Sequence, residues 1–479
     1  MNAILILAAV LNLSAWKGET LFTEIPDGTT VGKPIPGVVG VRRGVLRSVR
    51  YNDHPDRPDA AREAFDRVDW TAQSGGPRVA CFKVSRRAKA GEYQIGDVKL
   101  KVVNRTLPPA RDWKFRLDLW QHPWSVARYH QVRPFSPEHL KTMEPLLKEL
   151  GACGAKFITT TLVFEPWMHQ CYDGYGSMIK VTERADGSGF DYDFSDFDAY
   201  VSLALKCGVG PDISCHSLAP WGLRVHWTGR DGKDKWEHLI PGKERFEWFW
   251  TPYLKAFAAH LKAKGWLEHT YLAMDERCPE EMKAVSDFVA KLGLGFKIAA
   301  CGNRVPSEYE GIKLDDFSLS IQFVNEKFIN EAKARRKEGM FTTTYVCNGP
   351  FMPNTFLCSE PAEAYWLAVY EYVAGFDGLL RWAYNSWDKD PMVDGSNGKW
   401  MSGDTFLVYP DGSPSRRLLM LRNGIVAAEK WRILDGRKSF RDRLKAMAER
   451  YDLRRAFSTD TGWFRDLRRD TDELLNSEK

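Results

Sequence analysis

The chain has 479 residues, long enough for two domains or for one large barrel with an accessory module. Its formal net charge of +5 is weak over that length, and no basic run of the kind that tracks a phosphate backbone occurs, which argues against a nucleic-acid partner. Nine scattered cysteines, without C-x-x-C or Cys/His ligand spacing, point to neither a disulfide framework nor a zinc site, and no metal or organic cofactor is implied.

The first feature in chain order is an apolar run, Ala3 to Leu11, followed by Leu13-Ser14-Ala15. It reads either as a signal peptide, which would make the protein secreted or periplasmic, or as the first strand of a folded domain. It is too short to span a bilayer as a helix, and no other segment reaches that length without charges, so no membrane span is expected. Val38–Val41, Val45–Val49, Val79–Val84 and Val98–Val103 are β-favouring runs separated by Gly, Pro and Asp. They predict an N-terminal β-sandwich over residues 1–108, ended by Pro108-Pro109.

From Phe115 onward, short strand-like runs alternate with helical stretches. The strand candidates are Phe115–Trp120, Phe157–Val163, Asp212–His216, Thr270–Met274, Phe296–Ala300, Phe317–Gln322, Phe341–Val346 and Gly378–Asn385. Helices are predicted from Ser136-Pro137 to Gly151, over Ser195–Cys207, Glu244–Lys264 and Pro279–Leu292, and at the close over Pro414–Ala428. This α/β alternation predicts a TIM-like (β/α)8 barrel over residues 112–430, with no full helix between its fifth and sixth strands. A doubly wound open sheet is the rival, but no Gly-x-Gly-x-x-Gly or phosphate-binding loop follows a strand. Residues 431–479 are charged, with apolar spacing at Leu444, Met447 and Tyr451, and are expected to form a peripheral helical appendage.

A (β/α)8 barrel carries its chemistry on the loops that follow the strands. Asp275 and Glu276 stand side by side at the end of the fourth. Like charges repel and partial burial favours the neutral acid, so at least one carboxyl should titrate high. A raised carboxyl beside an ionised one suits acid/base work on a glycosidic bond. The bland alternative makes Asp275 a cap for the helix near Pro279 and leaves Glu276 solvated. Trp124 follows the first strand, Glu165 and Trp167 the second, His216 and Trp221 the third, and Tyr345 lies on the seventh. Trp382, Tyr384, Asn385 and Trp387 follow the eighth and predict a stacking wall around a sugar. Their structural alternatives are a satisfied buried histidine for His216, loop anchors for Trp167 and Trp221, and a loop brace for Glu165. The 18 Trp, 17 Tyr and 26 Phe are unusually many, although core packing must take more than half of them.

These residues resemble glycoside hydrolase family 123. The resemblance rests on Leu117–Pro123, Ala127–His130, Ile158–Thr161, Tyr271–Arg277 and Arg381–Trp387, and it extends through Gly403-Asp404, Leu407–Pro410, Ser415-Arg416 and Arg422–Ile425. It covers about residues 80–430; Asn12–Glu19 is similar to an early family stretch, which favours the folded-domain reading of the N-terminus. The resemblance implies an N-terminal β-sandwich, a catalytic barrel and β-N-acetylgalactosaminidase activity that retains configuration. The attacking group would be the substrate's own 2-acetamido oxygen, forming an oxazolinium ion, an exception to the two-carboxylate spacing rule. Glu276 is then general acid and base, and Asp275 orients and polarises the acetamido N–H. The implied partner is a glycan with a terminal 2-acetamido sugar. N-acetylglucosamine or another hexosamine as substrate, or a catalytically silent glycan-binding protein, remain the alternatives.

Overall fold

The computed structural model describes residues 10–52, 61–451, 458 and 460–477. Apart from Val10 and Leu11, the apolar run expected as leader or first strand lies outside the described residues. The chain forms two compact units, residues 1–115, 351–374 and 390–479 in one, and residues 116–350 and 375–389 in the other.

The first unit opens with β1 (Leu11–Lys17), β2 (Thr20–Ile25), β3 (Val39–Asn52), β4 (Ala61–Asp69), β5 (Arg78–Val84), β6 (Gly91–Ile95) and β7 (Val98–Thr106). They make two sheets, ordered β1-β7-β6 and β2-β5-β3-β4. Alternation sends Val98, Leu100 and Val102 of β7 inward, where they share one core with Ala15, Ile25, Val39, Phe82 and Val84. Apolar faces from both sheets thus close on each other as a sandwich. The two predicted strands at 38–41 and 45–49 are a single strand, β3. Gly44 between them is not a break: a Cβ there would meet the Asp69 carbonyl oxygen at 2.5 Å, so glycine lets β4 approach.

The second unit contains β8 (Arg116–Leu119), α1 (Pro123–His130), α2 (Pro137–Ala152), β9 (Phe157–Thr161), β10 (Lys180–Glu183), β11 (Phe190–Asp193), α3 (Ser195–Lys206), β12 (Asp212–His216), β13 (Arg224–Thr228) and β14 (Asp234–His238). It continues with α4 (Glu244–Lys264), β15 (Thr270–Asp275), α5 (Pro279–Leu292), β16 (Lys297–Gly302), β17 (Asp316–Ser320), α6 (Glu326–Lys337), β18 (Phe341–Val346) and β19 (Gly378–Arg381). Eight parallel strands run in the order β8-β19-β18-β17-β16-β15-β12-β9, the nearly closed sheet of a (β/α)8 barrel. Their near-continuous burial is what a sheet covered on both faces requires. Between β16 and β17 stands only a 3-10 turn, Pro306–Glu308, where the sequence lacks a helical stretch.

The ring closes between β8 and β9 by other means than a ladder. One bridge joins Leu117 to Ala155, and the Lys156 N–H donates to the Leu117 carbonyl at 2.9 Å. Gln121 completes the seam: its Oε1 accepts from the Thr159 N–H at 2.9 Å and the Tyr200 hydroxyl at 3.1 Å, and its own N–H donates to Thr159 Oγ1. On the floor of the barrel the Arg116 guanidinium lies 3.0 Å from Asp212, 2.9 Å from Asp316 and 3.8 Å from the centre of the Phe341 ring.

The long loops after β9 and β12 carry a small sheet, β11-β10-β13-β14, that the sequence did not announce. The remaining helices, α7 (Pro361–Ala374), α8 (Arg416–Leu434), α9 (Lys438–Tyr451) and α10 (Thr461–Asn476), group with the sandwich. That grouping differs from the division expected at residues 108 and 430. Gly424 allows α7 and α8 to touch, since a Cβ there would meet the Tyr365 carbonyl at 2.3 Å. The segment expected to be a peripheral appendage is packed: Phe464, Leu467 and Leu475 of α10 are buried, and the Trp16 indole donates to the Leu475 carbonyl. Among the described residues no helix is long and apolar enough to cross a membrane.

Candidate active site

Strand β15 delivers the carboxylate pair. Asp275 is its last residue and stands in register with Cys301 of β16, so the two side chains share a face. The Cys301 thiol donates to Asp275 Oδ1 at 2.9 Å. Glu276 then leaves the strand with φ 48°, its N–H held by the Cys301 carbonyl at 2.9 Å. A left-handed glutamate costs about 1–2 kcal/mol, and this turn is what aims two neighbouring side chains differently. Glu276 Oε1 accepts from the Tyr345 hydroxyl at 2.8 Å and from Asn303 Nδ2 at 3.3 Å, and that hydroxyl lies 2.9 Å from Asn303 Oδ1. The cap position of α5 is Cys278, without a side-chain bond, so Asp275 does not cap that helix.

The two acids differ in surroundings as well as direction. Burial, with the Glu276 charge second, pushes the Asp275 carboxyl up to about 7, while bonds from Cys301 and Trp167 and the charge of Arg277 act the other way. Glu276 is exposed. The Cys301 thiol is held well above its ordinary range by burial and by the Asp275 charge, so it stays protonated and able to donate. Asp118 of β8 is likewise pushed up to about 8 by burial and by the charges of Asp316 and Asp212, and it accepts the Trp120 indole N–H at 3.2 Å.

Aromatic rings wall one side. Trp120 stacks on Trp167 at 5.1 Å, and both meet His216, at 4.7 and 4.8 Å. Burial pushes His216 down to about 3, so its imidazole is neutral at working pH. Trp221 donates its indole N–H to the Asp275 carbonyl at 3.0 Å, fixing the peptide that joins the pair. Asp275, Glu276, Tyr345, Trp221 and His216 are therefore brought together.

Other candidates are placed elsewhere. Glu165 braces its own loop, its oxygens accepting the N–H groups of His169 and Tyr175 at 2.6 Å each. Trp124 packs against Phe135 and Tyr175. Of the residues expected after the eighth strand, three have partners on other elements of the barrel. Tyr384 reaches outward to the Leu146 carbonyl of α2, Trp387 is buried against Tyr129 of α1, and Asn385 is pinned to both backbone groups of His122. Trp382 is buried directly after β19. Arg128 grips Asp173 through Nε and Nη2, which with Ser125 holds the loop that supplies Tyr175. Asn303, Cys301 and Trp120 complete the constellation without having been singled out; Asn303 follows β16 directly, where the strand-end rule reaches.

The family described as glycoside hydrolase 123, catalytic domain, matches residues 120–434. Among solved structures, a family 123 glycoside hydrolase from Clostridium perfringens, studied for the details of glycolipid glycan hydrolysis, superposes with a TM-score of 0.84 at 24% identity, covering 97% of this chain and 93% of that one. The endo-beta-1,4-mannanase from Thermotoga petrophila gives a TM-score of 0.39 at 14% identity over 67% of this chain and 78% of its own, too loose a likeness to carry an argument. No curated protein matches the sequence. The match spans well over half of the chain and contains the carboxylate pair with its contacts to Cys301, Asn303, Tyr345, Trp167 and Trp221. The chain belongs to glycoside hydrolase family 123, and it is a glycoside hydrolase.

Proposed function

We propose that the enzyme removes terminal β-linked N-acetylgalactosamine from oligosaccharides or glycolipid glycans, with retention of configuration and with the substrate's acetamido oxygen as nucleophile. The observation that carries this reading is the divergence of the pair. Asp275 points into the barrel, where Cys301 and Trp167 hold it, and Glu276 turns out to the open side, gripped at one oxygen by Tyr345 and Asn303. Two carboxylates so arranged serve different atoms of one sugar. Glu276, through its second oxygen, protonates the glycosidic oxygen and later deprotonates the water that opens the oxazolinium ion. Ionised Asp275 accepts the acetamido N–H, raising the nucleophilicity of the carbonyl oxygen and stabilising the positive charge that develops on the ring. The neighbouring Trp120 and Trp167 rings offer the acetamido methyl an apolar surface from which water is excluded.

The test is hydrolysis of an aryl β-N-acetylgalactosaminide with the product anomer followed by NMR, with a thiazoline mimic of the intermediate as inhibitor. The expected product is the β-anomer, and the thiazoline should compete. Glu276→Gln should lose at least about a thousandfold on a substrate whose leaving group needs a proton, the upper range for general acid/base catalysis being about ten-thousandfold. An α-anomeric first product, or turnover unaffected by Asp275→Asn, would rule the mechanism out. The epimeric aryl N-acetylglucosaminide decides between the two sugars.

A further inference from the structure

The small sheet on the loops after β9 and β12 has one covered face and one open face. On the covered face, Trp227 packs on Phe190 at 6.1 Å and on Phe249 of α4 at 5.6 Å. On the other, the antiparallel register sets Arg224 opposite His238, His226 opposite Trp236 and Thr228 opposite Asp234. This face is uncovered by the rest of the unit: Trp236 is 47% exposed, as is Phe164, at 45%, on the loop after β9. The Arg224 guanidinium lies 4.1 Å over the Trp236 ring, Phe164 meets His226 at 5.2 Å, and His226 Nδ1 is 3.0 Å from Asp234 Oδ2. Flat rings thus alternate with a guanidinium, an imidazole and a carboxylate. A protein partner's apolar core would find this surface too polar, whereas a sugar presents a C–H face to a ring and hydroxyls to the groups beside it.

The open face is also tied to the carboxylate pair through the chain. Strand β13 begins three residues after Trp221, the residue whose indole holds the Asp275 carbonyl. From Trp221 to His226 the extended chain spans at most about 17 Å, a length that a short oligosaccharide bridges.

We propose that this face is a subsite for the leaving-group side of the substrate. Neutral sugar units beyond the scissile bond rest on Trp236 and Phe164 and hydrogen-bond to Arg224, His226 and Asp234. The assignment builds on the glycosidase reading above and adds to it a preference for oligosaccharide over small aglycones.

The experiment compares kcat/KM of the full chain on two substrates, an aryl β-N-acetylgalactosaminide and an oligosaccharide of four sugars with the same terminal residue. Trp236→Ala and Phe164→Ala should each lower the ratio of oligosaccharide to aryl kcat/KM, by roughly tenfold for Trp236, mainly through KM. A ratio unchanged in both variants, with the wild type active, would overturn the subsite and leave the glycosidase reading intact. A wild type inert on both substrates would instead refute that reading, and the subsite with it. Sedimentation of the same proteins covers the other occupant: a dimer abolished by Trp236→Ala would make the face a contact between copies and overturn the proposal.

Discussion

Asp275→Asn should stabilise the protein at alkaline pH while abolishing its activity. In the fold the Asp275 carboxyl is pushed up to about 7 from an ordinary 3.8. A group whose folded pKa is raised gives its full support to the fold below the unfolded pKa and loses it as pH rises through the folded one. At about pH 8.5 the full displacement corresponds to about 4 kcal/mol of penalty, and at about pH 5, close to the unfolded pKa, to less than half of that. Asparagine removes the charge and keeps an acceptor for the Cys301 thiol, but it turns an N–H toward Trp167, a mismatch costing about 1 kcal/mol. With a further discount for the partial exposure of Asp275, the expected net gain is about 2 kcal/mol near pH 8.5 and close to zero near pH 5. Thermal unfolding of wild type and variant at the two pH values measures it. A variant no more stable than wild type near pH 8.5, or a gain independent of pH, would refute the idea that burial of this charge is what the site sustains for function.

The same carboxyl should govern the acid limb of the rate profile, because the mechanism uses it ionised: kcat/KM rises with pH through about 7. Cys301→Ser, with a stronger donor, should move that limb down by roughly half a unit, and Cys301→Ala, with none, should move it up by a similar amount. Shifts in the same direction, or none, would show that the thiol has no hold on Asp275, whose other charged and titratable neighbours are Glu276, Arg277 and Tyr345. On the barrel floor, Arg116→Met should cost about 3–5 kcal/mol by leaving Asp316 buried without its cation and Asp212 with only His269 beside it. Replacing all three residues with apolar ones should recover most of that loss, which chemical denaturation reads directly; a single variant as stable as wild type would contradict the pairing.

The barrel was legible because its strands are covered on both sides and read as short apolar runs between helical stretches, as Phe157–Thr161 and Phe317–Ser320 do. Strands with one wet face were not. In β14, Asp-Lys-Trp-Glu-His looks like a solvated loop, and only its antiparallel partner β13 makes it a strand. The carboxylate pair was visible from its place at a strand end, but the different duties of its members depend on the backbone turn at Glu276. The bond of Cys301 to Asp275 follows from cross-strand register, which a linear pattern does not carry. The partners of the rings after β19 were hidden for a related reason. Once the strand ends, each side chain's direction is set by the path of the chain, and Tyr384 and Trp387 turn toward α2 and α1.

The seam at Gln121 gives the barrel an unequal circumference. Its first and last strands, β8 and β19, which are farthest apart in the chain, are sewn by a regular ladder, while the chain neighbours β8 and β9 are clasped by one bridge and an amide side chain. A joint fastened so lightly is expected to open more readily than the laddered ones. That joint stands one residue from Trp120, whose indole touches both His216 and Trp167. Hydrogen exchange at the Thr159 amide, guarded by a glutamine rather than by another strand, is therefore a gauge of how tightly the aromatic side of the carboxylate pair is held.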